Sequence, residues 1–148
     1  MRARILDFLT EHHAMTLATA GPGPHAAAVL YAHLEFALYW VSDPETRHSR
    51  EIAAGGEIAA TINRDYADFT QIRGLQLAGP AAMLTGNEAA EGLSVLTRRY
   101  PFFEQFADSG GELSGALAKA SVWRFDPVHI VYVDNTRGFG FKETLELG

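Results

Sequence analysis

The sequence contains no cysteine. Disulfides, thiolate catalysis and Cys-ligated metals are therefore excluded, and a chain without disulfides suits a reducing compartment. Nor does any apolar run approach the roughly 20 residues that a membrane-spanning helix needs. The opening Met1–Glu11, M-R-A-R-I-L-D-F-L-T-E, lacks the unbroken apolar centre of a signal peptide. The expectation is a cytoplasmic protein with no membrane contact. The formal net charge is −6, which argues against a general nucleic-acid surface but leaves room for a local basic pocket.

The common catalytic and nucleotide motifs are missing as well. Ser42, Ser49 and Ser121 have no G-x-S-x-G context. There is no P-loop, and G-F-G at Gly138–Gly140 falls short of the dinucleotide fingerprint and precedes no helical pattern. The histidines are scattered, with His12 and His13 adjacent rather than four apart, so no metal site is expected. No catalytic group can be named from spacing alone.

What is present is an ordinary globular chain of 148 residues, 47% hydrophobic and 20% charged, which suits a single domain over 1–148. Arg2 to His12 carries Ile5, Leu6, Phe8 and Leu9 at helical spacing. Strand patterns follow at Ala14–Thr19, His25–Tyr31, Phe36–Asp43 and Glu57–Asn63, then one long strand or two joined strands at Thr70–Leu84. Gly74 and Gly79-Pro80 within it mark bulges or a barrel corner, where a strand bends sharply. A helix capped by Asn87, with a stripe of Ala90, Leu93, Leu96 and Tyr100, runs to Pro101. Phe102–Gly115 reads as a short helix and a mobile loop, and Ser121–Phe125 and His129–Val133 as two further strands. Short strands with Gly/Pro turns and no βαβ rhythm predict a mainly β, α+β fold: an antiparallel split barrel of six or seven strands with short flanking helices.

One stretch is electrostatically odd. Phe36–Asp43 is an aromatic strand, Asp43-Pro44 reads as a helix start, and Arg47, His48 and Arg50 crowd the front of the helix, which ends at Gly55-Gly56. Cations there gain nothing from the helix macrodipole. They suit either an anion held at the strand-to-helix junction or a solvated basic face. Three further features stand out. Gln71, Arg73 and Gln76 interrupt an apolar strand, and either meet a ligand's polar atoms or form an outward polar side. Trp123 lies beside Arg124, in a setting more typical of core or interface than of cofactor contact. The closing segment Asp134–Lys142, D-N-T-R-G-F-G-F-K, is rich in glycine and specific polar groups.

Together, the element order, T-R-H-S-R at Thr46–Arg50, I-R-G-L-Q-L-A-G at Ile72–Gly79 and D-N-T-R-G-F-G from Asp134 resemble the FMN-binding split barrels related to pyridoxamine 5′-phosphate oxidase. The closing segment is similar to that of a small uncharacterised bacterial branch. The resemblance implies FMN as cofactor, with its phosphate held by the triplet Thr46, Arg47 and His48, the last standing where the family has Lys. It also implies Ser42 near the phosphate or ribityl chain, and the small residues Ala27, Ala28 and Val29 along the ring. Gln71, Arg73 and Gln76 would stand where the long strand meets the flavin. Such proteins are homodimers with sites at the subunit interface, which implies Trp123 in the partner's pocket and a small-molecule substrate. The oxidase's C-terminal Arg- and His-containing substrate motif is absent, so pyridoxamine phosphate oxidation itself is not expected. The resemblance also admits a flavin carrier or sensor without turnover, a deazaflavin at the same junction, or haem on His25 or His129. Arg47 and His48 are expected to turn back toward the barrel mouth.

Overall fold

The computed structural model describes residues 1–104 and 119–148. Among these, the helices are α1 (Arg2–Glu11), α2 (Arg47–Gly55) and α3 (Gly86–Arg99). The strands are β1 (Ala14–Ala20), β2 (Pro24–Leu30), β3 (Ala32–Leu34), β4 (Ala37–Ser42), β5 (Glu57–Asn63), β6 (Arg73–Met83), β7 (Ser121–Phe125), β8 (His129–Asp134) and β9 (Lys142–Glu146). Every pairing is antiparallel. Seven strands follow the path β2-β1-β5-β6-β7-β4-β3, and β8 with β9 branches from β6. The fold is a mainly β, α+β split barrel. No helix among the described residues is long and apolar enough to cross a membrane.

The split occurs within β6. Its first half, Arg73 to Ala78, pairs with β8, and its last residues, Ala81 to Met83, pair with β7. The switch falls at Gly79-Pro80. The β7–β8 connection crosses there so closely that a Cβ on Gly79 would lie 2.5 Å from the Asp126 carbonyl oxygen. Flanking hydrogen bonds, Asp126 N–H to Pro80 O and Val128 N–H to Ala78 O, pin the crossing. Only glycine fits where another backbone approaches so near.

Alternation then fixes two faces. Leu17, Ala60, Leu77, Ile130 and Leu145 stand in register across five strands and form one inward row. Ile5, Phe8 and Leu9 of α1 and Ile52 of α2 pack into the same core. A second cluster, with Tyr39, Val95, Leu96, Tyr100 and Val122, joins α3 to β4 and β7. The outward rows are made mostly of small residues. One reads Ala26, Ala18, Ala59 and Ala78, and the next Ala28, Thr16, Thr61 and Gln76.

Several local expectations are corrected. The short connection at Ala32 to Glu35 contains strand β3, and the tail contains β9. β6 begins at Arg73, after a 3-10 turn at Phe69–Gln71, so Thr70 and Gln71 lie outside the strand. The cap residue of α3 is Thr85 rather than Asn87, and Leu93 is exposed while Gly92 and Val95 face the sheet. Residues 102–104 are helical, and the rest of the Phe102–Gly115 expectation lies outside the described residues.

Candidate functional site

The strand-to-helix junction is built from Ser42 to Ser49. Asp43 and Pro44 form a turn, with the Thr46 N–H bonded to the Asp43 carbonyl at 3.1 Å, so the helix starts three residues later than Asp43-Pro44 suggests. Thr46 is the cap residue: its hydroxyl accepts the Ser49 N–H at 3.3 Å and sits 2.7 Å from the buried Ser49 hydroxyl. The first turn of a helix has N–H groups without intrahelical carbonyls. With Ser49 served by Thr46, the amides of Arg47 and His48 are the open donors of that turn.

His48 folds back as expected. Its Nε2 lies 3.0 Å from the Ser42 hydroxyl and 3.4 Å from that of Thr46. Burial, and secondarily the nearby His25, lower its pKa from the ordinary value, so the ring is held neutral near neutral pH. Arg47 departs from the expectation. Its side chain is 47% exposed and reaches sideways, donating from Nε to Glu51 at 2.8 Å and from Nη2 to the Gly23 carbonyl at 3.2 Å. Thr19 donates to the other Glu51 oxygen at 2.6 Å. The Thr19 hydroxyl and then Arg47 hold the Glu51 carboxyl below its usual range. Arg47 and Arg50 also border an open groove of about 570 Å³ against the β1–β2 turn. Reading the sequence for site residues missed Thr19, Ser49 and Glu51. The spacings Thr46/Ser49 and Arg47/Glu51, three and four apart on a helix, were the available signals.

The other implied residues are distributed more widely. Ala27 and Val29 are half-buried and Ala28 is exposed on β2, which pairs with β1 alone among the described residues and so leaves one backbone edge open. Gln71 is exposed on its 3-10 turn. Arg73 and Gln76 point to opposite faces of β6, three residues apart in a period of two. Arg73 donates to the Tyr132 hydroxyl at 3.2 and 3.1 Å, with Asp134 at 4.0 Å. Gln76 is exposed on the outer face. Both nonetheless border one open groove of about 560 Å³, with Thr61, Asn63, Arg64 and Tyr66, at the far end of β5 from α2. Trp123 is corrected: it is 1% exposed, stacked on Trp40 at 6.4 Å, and donates its indole N–H to the Ser42 carbonyl at 3.1 Å. A ring so buried is core, and it braces the strand end that carries Ser42. Of the two histidines considered for haem, His129 is tied through Nδ1 to Glu146 at 2.6 Å, and His25 is half-buried beside His48. No cluster of three His, Asp or Glu able to hold a metal occurs among the described residues.

Chemically, the junction offers hydroxyl, amide, imidazole and guanidinium donors within one turn of chain, the donor set of an anion site. Comparison with known proteins agrees with the fold. A UPF0306 protein of Enterobacter sp. (strain 638) is 30% identical over 144 residues, covering 95% of this chain and 92% of that protein. Among solved structures, a heme binding protein from Mycobacterium smegmatis superposes with a TM-score of 0.73 at 21% identity, over 95% of this chain and 56% of that one. A FAD-binding protein from Mesorhizobium loti superposes with a TM-score of 0.65 at 18% identity, over 88% of this chain and 91% of that one. The pyridoxamine 5′-phosphate oxidase family matches residues 1–134. The chain belongs to that split-barrel family.

Proposed function

We propose that this protein binds FMN as a homodimer and acts as an FMN-dependent oxidoreductase on a small molecule. The observation that carries this reading is the donor set at the start of α2. The hydroxyls of Ser42 and Thr46, the amides of Arg47 and His48, and the His48 ring converge on one junction, with the Arg47 guanidinium beside it. These groups fit a phosphate monoester, which accepts through three oxygens. FMN, when bound, supplies hydride or electron transfer, while the protein supplies position and a dry pocket.

In this reading Thr46 and Ser42 orient the phosphate, and the buried Trp123 holds the Ser42 strand end in place. The small side chains of Ala27, Ala28 and Val29 let a flat ring approach the open edge of β2. Gln76 and Arg73, with Gln71 on the preceding turn, offer amide and guanidinium donors to ring carbonyls and nitrogens at the second groove. The clamp and that groove lie at opposite ends of β5, seven residues long or about 20 Å. A two-fold axis over the exposed alanine rows would bring the clamp of one copy to the groove of the other. Isologous pairing of this kind is the common form of closed dimer.

The visible spectrum of the purified protein tests the reading. A two-band flavin absorbance, with FMN released on denaturation or taken up on addition, is expected. A colourless protein that takes up no FMN would overturn it, and a Soret-type band would favour haem. Anaerobic reduction of the bound flavin by NADH or NADPH supports an oxidoreductase; its absence with every donor tried points to a carrier or sensor. Sedimentation of the loaded protein as a monomer would contradict the dimer.

A further inference from the structure

Glu51 follows Arg47 by one turn of α2 and is held from two sides. Its side chain is only 9% exposed. One carboxylate oxygen accepts the Thr19 hydroxyl at 2.6 Å, and the other accepts the Arg47 Nε–H at 2.8 Å. The β1–β2 turn closes over it: a Cβ on Gly21 would lie 3.0 Å from the Glu51 carboxyl carbon. In the same turn the Gly23 carbonyl accepts the Gly21 N–H at 3.3 Å and Arg47 Nη2 at 3.2 Å. A single guanidinium thus ties together a carboxylate, the turn and the start of α2.

Helix stability does not account for this pair. At a spacing of four, the favourable order puts the acid nearer the helix N-terminus than the base. Here the base comes first, in the turn where the macrodipole disfavours it. Nor is Glu51 a passive surface charge. The Thr19 hydroxyl and then Arg47 hold its carboxyl below the usual range, so it is ionised at neutral pH. α2 therefore carries a fixed negative charge one turn from the hydroxyls and amides that favour an anion, and that charge engages the arginine beside them.

We infer that Glu51 competes with the ligand's phosphate for Arg47: the carboxylate holds the guanidinium on the β1–β2 turn, and a phosphate at the junction takes it by exchange. The inference deepens the proposed function, on which it rests, by naming a residue that sets the affinity of the same site. Three features favour the exchange. Arg47 is nearly half exposed, and an ion pair with so exposed a member contributes little. Glu51 keeps its Thr19 bond, and it borders the groove of about 570 Å³, from which water serves the oxygen that Arg47 leaves. A phosphate monoester brings more charge and more acceptor oxygens than a carboxylate. The exchange also releases the Gly23 carbonyl, so phosphate binding loosens the β1–β2 turn from α2. Glu51 is a positioning residue, acting on the ligand through Arg47.

The test compares FMN and riboflavin affinities in the full-length protein, in Glu51→Gln, in Arg47→Ala and in the double variant. Glu51→Gln keeps the length of the side chain and removes its charge. It should tighten FMN by about three- to fivefold and leave riboflavin unchanged. The gain should vanish in the Arg47→Ala background, because the exchange requires the guanidinium. In the isotopically labelled natural protein, FMN but not riboflavin should shift the Arg47 Nε–H and the Gly21 amide. Unchanged or weaker FMN binding in Glu51→Gln would overturn the inference, the weaker case meaning that the carboxylate supports Arg47. A gain that survives without Arg47 would mark plain charge repulsion and overturn it too, as would an Arg47 Nε–H that FMN leaves unmoved. Failure of the clamp itself reads differently. A natural protein that prefers FMN over riboflavin, with no gain in Glu51→Gln, keeps the clamp and loses the competition. One that shows no such preference loses both.

Discussion

Arg99 and Arg47 both stand beside a helix end, and they differ in what surrounds them. Arg99, at the end of α3, reaches the C-terminal end of α1. It donates to the carbonyls of Leu9 at 3.1 Å, Thr10 at 2.9 Å, Tyr31 at 3.3 Å and His12. Its guanidinium also lies over the rings of Tyr31 and Tyr100, at 5.1 and 5.7 Å. Carbonyls at a helix C-terminus are short of donors and carry partial negative charge, so a cation there closes the structure. Arg47 sits at the opposite kind of end, where donors are in excess. Its partners are one carboxylate and one carbonyl, and nearly half of it remains in water. The first arginine is used up by the fold, and the second has capacity for a further anion.

This contrast can be broken or sharpened by substitution. The largest effect is expected for Arg99→Ala, which strips charge-assisted bonds from four carbonyls and should cost about 3 kcal/mol in chemical denaturation. A loss below about 1 kcal/mol would show that water replaces the guanidinium there. Thr46→Ala should cost about 1 kcal/mol, the usual worth of a helix cap, and should weaken FMN as well. Arg47→Ala is expected to change stability by less than about 0.5 kcal/mol, as an exposed ion pair contributes little. A large loss would place Arg47 among the structural arginines.

The smallest effect is a pH dependence. Because the folded pKa of His48 lies below its ordinary value, the folded protein prefers the neutral ring. His48 therefore subtracts stability from the free protein as pH falls below about 6.5, and nothing above that. A bound phosphate reverses the preference by favouring the imidazolium. The contribution of His48 to FMN affinity should thus rise, by a few-fold, as pH falls from 7.5 to 6. The phosphate gains a proton over the same range, which works against the rise. The comparison is therefore between the natural protein and His48→Asn, and His48→Lys should flatten the His48 contribution. Identical pH profiles for all three would remove His48 from the anion site.

Much of this architecture was legible in the sequence. Alternation placed β1, β5, β7 and β8, and of the two glycine positions read as bulges or a corner, Gly79-Pro80 is where β6 changes partners while Gly74 lies within regular pairing. β3 was not legible because three residues are too few to display a period. β9 escaped because K-E-T-L-E presents a single buried residue, Leu145, among polar neighbours. The candidate site was legible in residue type more than in direction. Thr46, His48 and Ser42 do converge. Gln76 and Arg73, however, took opposite faces once the register with β5 and β8 was set, and a strand whose start is misjudged does not reveal that. Trp123 was ambiguous because a large aromatic residue in a strand packs equally well into a core or an interface. Its stacking on Trp40 depends on the β4–β7 pairing, a contact between residues more than 80 positions apart.

The central claim is that the junction at α2 is a phosphate clamp. The most direct measurement is the affinity of the full-length protein for FMN against riboflavin, which carries the same ring without the phosphate, in the natural protein and in Arg47→Ala. The account predicts that FMN binds at least about tenfold more tightly than riboflavin, and that most of this difference disappears in the variant while riboflavin affinity is unchanged. Equal affinity for FMN and riboflavin in the natural protein, or a preference that survives intact in Arg47→Ala, would contradict it.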